Sequence, residues 1–241
     1  MKRLIVNADD LGYDPAVTRG IVECLRFGLV RSTTLMVNTP FSQDAASAAH
    51  GFAVGLHFNL ARWRALSPSF PKQFLEQGEL AEAVAGRLPG EVVEEEVLAQ
   101  AEYCRSLLGK APTHIDVHKH LHRHAGVFAG LTSAAQRLGL PVRALDDDMR
   151  AALAGKGIRR TNAFIGDAGA EPYWTLEQWR AALAGLQAGV TELMCHPGYA
   201  PTHVRSGYSA QREGELATFT AKAAKDALLA SGVDLVTFDV V

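Results

Sequence analysis

Cysteine is scarce in this 241-residue chain, and the three present, Cys24, Cys104 and Cys195, are scattered. Isolated thiols build neither a disulfide framework nor a paired-cysteine zinc motif, so a reduced compartment, the cytoplasm, is the expected location. Cys195 stands beside His196, yet a small apolar residue closing a buried strand is the simpler reading than a nucleophile. No charge sign dominates: 24 Lys+Arg stand against 26 Asp+Glu, a formal net charge of −2. Nucleic acid and anionic membrane are therefore not expected partners. No apolar run approaches the roughly 18 residues of a membrane span. A signal-peptide pattern is missing too, because Asp9 and Asp10 interrupt the first apolar stretch. Linkers, low-complexity tracts and clear repeats are lacking. One domain spanning 1–241 is the simplest organisation, and 48% hydrophobic residues are ample for its core.

Against these absences stands one organising stretch, Ile5-Val6-Asn7-Ala8-Asp9-Asp10. Consecutive apolar residues from Leu4 to Val6 suit a parallel strand buried on both faces. Two adjacent carboxylates at its end need positive charge nearby if both are buried and ionised. Downstream, short apolar runs alternate with amphipathic ones, as βα units do. Strands are expected at about 3–7, 32–38, 53–59, 114–117, 141–144, 161–165, 191–195 and 233–240. Helices are expected at 16–27, 42–49, 91–108, 127–138, 176–186 and 210–229. Asp14-Pro15 supplies an N-cap and first-turn proline for the first helix. Segment 146–157 resists assignment, and the irregular stretch 61–77 is a candidate substrate loop.

Seven to eight strands admit a doubly wound open sheet or a single-domain (β/α) barrel, closed or distorted. The open sheet's glycine-rich turn after strand one is absent, since Asp9-Asp10-Leu11-Gly12 stands there. Asp9, Asp10, His57, His118, Arg143 and His196 all fall at strand C-termini, where barrels keep their chemistry. That recurrence selects the barrel.

Asp10, His57 and His118 form a candidate metal set of one carboxylate and two imidazoles, with positions left for water and substrate. Taken singly, each is as readily a cap or a hydrogen-bonded structural residue. The set gains specificity because separate strands end alike. In the run His114 to His124 every histidine has even parity, so a continued strand would place them on one face with Asp116. That face suits a solvated ridge, a weak metal tract, or an Asp116 that orients a ligand imidazole. Asp9 and Asp10 point to opposite sides of a strand unless the backbone turns there. His196, fixed by Pro197-Gly198, is a candidate general acid. Arg143 is a candidate to hold Asp9 or to bind a substrate oxygen.

Several blocks in order carry a resemblance: Asn7-Ala8-Asp9-Asp10-Leu11-Gly12, Ser32 to Asn38, Gly55-Leu56-His57-Phe58-Asn59-Leu60, Thr113 to His122, Glu192 to Tyr199, and Tyr208 to Glu213. The sequence resembles the YdjC family of carbohydrate deacetylases, a group with chitooligosaccharide deacetylases and hopanoid-associated relatives. Departures are Val117, where relatives often have Ser, and Lys119, where they often have His or Gln. The resemblance implies a (β/α) barrel that binds a divalent ion, Mg²⁺ or Zn²⁺, through Asp10, His57 and His118. By the family pattern Asp9 would be the base and His196 the acid; Arg143 is expected beside them as a third catalytic residue from its strand-end position alone. The substrate would be a small N-acetylated sugar, with Asn59, His122, Tyr199 and Trp63 as expected contacts. Two rivals stand beside a deacetylase: a glycosidase using a carboxylate pair, and a sugar- or metal-binding protein without catalysis. For assembly, a homodimer is compatible with the sequence and argued by nothing in it.

Overall fold

The computed structural model describes residues 1–241. Its strands are β1 (Lys2–Leu11), β2 (Ser32–Leu35), β3 (Ala53–Phe58), β4 (Ile115–Val117), β5 (Ala163–Ile165), β6 (Gly189–Cys195) and β7 (Asp234–Leu235). Helices are α1 (Pro15–Phe27), α2 (Ser42–Ala48), α3 (Gly90–Leu108), α4 (Ala125–Leu138), α5 (Asp147–Gly155), α6 (Leu176–Gly185), α7 (Ala210–Thr220) and α8 (Lys222–Ser231). All pairings are parallel, in the order β4-β3-β2-β1-β6-β5, with β7 on the lower part of β1. Parallel pairing demands crossovers, and helices supply most of them, covering the outer face.

β1 shows how two cores arise from one strand. Leu4, Val6 and Ala8 join the large cluster under the helices, whereas Ile5 belongs to a small inner cluster with Val190 and Phe238. Period-two alternation therefore splits consecutive residues between the helix-covered face and the concave interior. Asp14 caps α1 by accepting the Ala16 N–H at 2.8 Å, as the Asp-Pro pair predicts.

The expected barrel takes its distorted form, a curled half-barrel, and three local expectations, at 141–144, 210–229 and 233–240, are corrected. The strand expected at 141–144 is reduced to a bridge from Val142 to Ile115, where the Arg143 N–H bonds Ile115 O while the Val142 N–H points the other way, to Arg159 O at 3.0 Å. The helix expected over 210–229 breaks at Ala221, whose ψ is 138°. The Thr220 hydroxyl bonds back to Leu216 O at 2.7 Å, a competitor of helical pairing there. The strand expected over 233–240 survives for two residues, after which a 3₁₀ turn buries Phe238 under the sheet. The segment 146–157 is helical, with Asp146 accepting the Met149 N–H at 2.9 Å.

Candidate active site

The site begins with a backbone irregularity. Asp10 has φ 72°, and the β1–β2 register shifts between Ala8 and Leu11. That turn brings two adjacent side chains, which a regular strand would send to opposite faces, to one cavity. A non-glycine residue in this region costs of order 1–3 kcal/mol and persists where surroundings over-determine it. Both carboxylates are 2% exposed, and each is gripped by a different arginine.

Asp9 faces Arg143 through two parallel contacts, 2.6 Å from Nη1 and 2.7 Å from Nη2. Arg143, fully buried, also meets Asp116 at 2.9 Å and Glu192 at 2.7 Å. One guanidinium thus partners three interior carboxylates. Burial by itself pushes Asp9 up, but Arg143 overrides it and holds the acid well below the usual range. Burial opposes the charge on Arg143 as well, and its acids keep the guanidinium firmly charged.

Asp10 takes the other half of the site. Its Oδ1 lies 3.2 Å from His57 Nε2 and 3.2 Å from His118 Nδ1, and the two nitrogens are 3.1 Å apart. His57 Nδ1 sits 2.7 Å from Asp116 Oδ1. A carboxylate only accepts, so Nδ1 carries a proton facing Asp116; Nε2 is protonated toward Asp10 while the ring is charged, and offers its lone pair once that proton leaves. The Thr34 hydroxyl donates to the other Asp116 oxygen at 2.9 Å. Two nitrogens and one carboxylate oxygen therefore converge, and that oxygen, Asp10 Oδ1, is buried without a hydrogen-bond partner.

This donor set fits a divalent ion. Ligand atoms about 2.1 Å from one ion, at right-angled to tetrahedral spacing, lie about 3.0–3.4 Å from each other. A second group, Asp9, His57 and Asp116, is also within reach of a single ion. There Arg143 already supplies the positive charge to both acids, so a further cation is disfavoured. Burial lowers His57, but Asp116, Asp10 and Asp9 outweigh it and raise the ring to about 10. Burial moves His118 the other way, to the neutral form a metal needs.

His196 follows β6 and lines the same cleft, its ring 5.4 Å from that of Tyr208. Its backbone N–H donates to Glu215 at 2.6 Å, and its buried Nδ1 has no partner. Burial lowers its pKa to about 4 despite Asp10 and Asp9. These groups open into a cleft of about 430 Å³ lined also by Tyr13, Arg62, His120 and Arg205. That volume lies within the roughly 300–1,000 Å³ typical of small-molecule sites.

Of the ten residues singled out in the sequence, Asp9, Asp10, His57, His118 and His196 line this cleft, and Arg143 lies beneath Asp9. The other four are placed elsewhere. Asn59 holds the chain after β3, bonding Asn38 and Arg62 O. Trp63 packs edge-on against Tyr13 and faces a separate groove. His122 is buried with both ring nitrogens unpartnered, and Tyr199 bonds Glu23 on α1. The shared face expected of the histidine run does not form. β4 ends at Val117, and Lys119 and His120 turn the chain with φ 56° and 53°. His114 instead stacks on Phe238 at 3.5 Å. Cys195 is fully buried and its thiol is pushed well up, as suits a packing residue.

Sequence reasoning gave no role to Arg212, Glu215 or Tyr208. Arg212 Nη2 donates to Asp10 Oδ2 at 2.5 Å. Glu215 accepts hydrogen bonds from the His196 backbone N–H and from the Tyr208 hydroxyl. Their signal is positional: Arg212 and Glu215 share the buried stripe of α7 with Leu216 and Phe219. Charges on an apolar stripe mark groups that are paired in the interior.

A curled parallel sheet with acids and imidazoles gathered at its strand ends defines the class: a (β/α)-barrel-like protein with a strand-end acid–imidazole site. Within that class, the chain belongs to the YdjC-like protein family, whose model matches residues 3–230. It is 36% identical to a carbohydrate deacetylase of Geobacillus stearothermophilus, over 97% of this chain and 96% of that protein. It is 34% identical to a chitooligosaccharide deacetylase of Serratia marcescens, over 98% of each. Among crystal structures, a protein of Enterococcus faecalis V583, provisionally described as a cellobiose-phosphate cleavage protein, aligns with TM-score 0.86 at 26% identity. That match covers 99% of this chain and 98% of the other. No helix is long and apolar enough to cross a membrane.

Proposed function

We propose that this protein is a metal-dependent hydrolase that removes acetyl groups from N-acetylated sugars and releases acetate. The observation that carries the reading is the convergence of Asp10 Oδ1, His57 Nε2 and His118 Nδ1 beside Asp9, with the ion-facing oxygen unpartnered. The names of the relatives, carbohydrate and chitooligosaccharide deacetylase, supply the substrate class.

Asp10, His57 and His118 would hold a divalent ion, Mg²⁺ or Zn²⁺, which would supply Lewis acidity toward an acyl oxygen and toward water. Asp9 is the base that takes a proton from the attacking water. Its paired contact with Arg143 fixes it in orientation and keeps it ionised. Such a depressed carboxylate is a weak base that stays ionised and ready to accept a proton at neutral pH. His196 holds the proton that the departing amine nitrogen needs when the C–N bond breaks. With a pKa near 4 it is a strong donor whenever it carries that proton. Asp116 keeps His57 in the tautomer that offers Nε2. Tyr13, Arg62 and Tyr208 wall the cleft, and aromatic faces of this kind stack on sugar rings.

The test is acetate release from N-acetylglucosamine oligomers and conjugates. Metal-stripped protein is assayed with Mg²⁺ or Zn²⁺ added back, beside Asp9→Asn and His118→Ala. Metal-dependent acetate lost in both variants is the expected result. A reducing end freed without metal transfers the reading to a glycosidase. Bound metal with no product of either kind leaves a binding protein.

A further inference from the structure

Arg212 spends a buried charge on Asp10 and on little else. It reaches in from α7, is 3% exposed, and donates Nε to Tyr208 O at 2.9 Å and Nη2 to Asp10 Oδ2 at 2.5 Å. Its guanidinium carbon stands 5.5 Å from the Tyr13 ring centroid and 5.8 Å from that of Tyr208, within cation–π range of both. The contact divides Asp10 into unlike halves. Oδ2 is committed to the guanidinium, while Oδ1 faces the two imidazoles without a hydrogen-bond partner. A carboxylate free at both oxygens can grip a cation with either or both. One with an oxygen held in a charge-assisted bond presents only the other.

We propose that Arg212 is a positioning residue that limits Asp10 to single-oxygen ligation of the divalent ion and so keeps a ligand position free for substrate. The inference rests on the metal reading given under Proposed function. Arg212→Met releases Oδ2, which then swings onto the ion and fills the position that substrate needs. Arg212→Lys keeps the charge but loses the fork, so it cannot hold Tyr208 O and Asp10 together as rigidly.

The test is a visible-absorption titration of the metal-stripped full-length protein, Arg212→Met and Arg212→Lys with Co²⁺, because the Co²⁺ spectrum reports coordination number and geometry. One Co²⁺ per chain is expected in all three. The Met variant should show a weaker, shifted band, as expected for a higher coordination number, and the Lys variant an intermediate one. Turnover should fall about 10–100-fold in the Met variant, the size usual for groups that orient a ligand, and KM should rise, because the freed Oδ2 competes for the position that substrate needs. A Met-variant spectrum that superimposes on that of the unaltered protein overturns the proposal. So does a Lys variant that keeps its circular dichroism but binds no Co²⁺, since Arg212 would then be needed for retention instead of orientation. Should the Met variant fail to fold, the Lys spectrum decides: a changed band supports the proposal and an unchanged one overturns it. Failure of the unaltered protein to bind Co²⁺ removes the metal reading itself, an outcome visible before any variant is made.

Discussion

The concave interior of the sheet has two storeys that share the same strands yet obey opposite rules. The lower one is mostly apolar: Ile5, Val190 and Phe238 cluster there, with His114 stacked on Phe238. The upper one is ionic: Asn7, Thr34, His57, Asp116, Arg143 and Glu192 fill it, all at most 1% exposed. On β1 the change takes two residues, from Ile5 to Asn7. The lower storey is held by burial of area, which is tolerant of shape. The upper is held by pairing, which fails sharply when one member is removed.

Arg143→Met should break this contrast most severely. It leaves Asp9, Asp116 and Glu192 without their shared cation, and loss of about 3–5 kcal/mol in urea unfolding is expected, with activity abolished. A variant as stable as the parent would show that the upper storey is not held by pairing. Phe238→Ala attacks the lower storey instead. Unfolding free energy should drop by about 3 kcal/mol, while kcat at a temperature where the fold persists stays within about twofold of the parent. A large kcat loss there would mean the storeys are coupled.

Asp116→Asn keeps shape and removes charge, and sharpens the comparison inside the upper storey. The His57 tautomer is then no longer enforced. Metal affinity by calorimetry should weaken about 10–100-fold, with far less loss of stability than for Arg143→Met. Proton linkage gives a subtler signal. His57 of the metal-free protein is raised from 6.5 to about 10 by acids that outweigh burial. Its charge stabilises the fold fully below pH 6.5, and that contribution disappears as pH rises through about 10. The Tm of metal-free protein should therefore fall across that window. Metal affinity should rise there by about tenfold per pH unit, because the ion displaces one proton. A flat affinity profile would exclude His57 as a ligand. Tyr199→Phe, on the far side of α1, should change kcat/KM by less than about twofold; a large loss would place the substrate outside the cleft.

The depth of these expectations follows what the chain itself makes legible. Strand ends are local features, so Asp9, Asp10, His57, His118 and His196 were recognisable from apolar runs that stop at ionisable groups. The α1 cap was legible for the same reason, since Asp14-Pro15 and Ala16 are neighbours. The histidine run was not, because parity holds only while a strand continues, and this one turns at Lys119 and His120. Nor was the interrupted strand at 141–144, which Ile115 holds on one side and Arg159 on the other.

By itself, then, the sequence determined the alternation of strands and helices, the buried character of β1 and the residue types at the strand ends. Those properties depend on neighbours within a few positions. Tertiary structure alone decided who partners whom. Asp9 and Arg143 are 134 residues apart, Thr34 and Asp116 are 82 apart, and Asp10 and Arg212 are 202 apart. A charge needs a partner once it leaves water, but sequence states only the need. Which cation answers which acid is fixed when curvature of the sheet and the path of α7 bring them within hydrogen-bond reach.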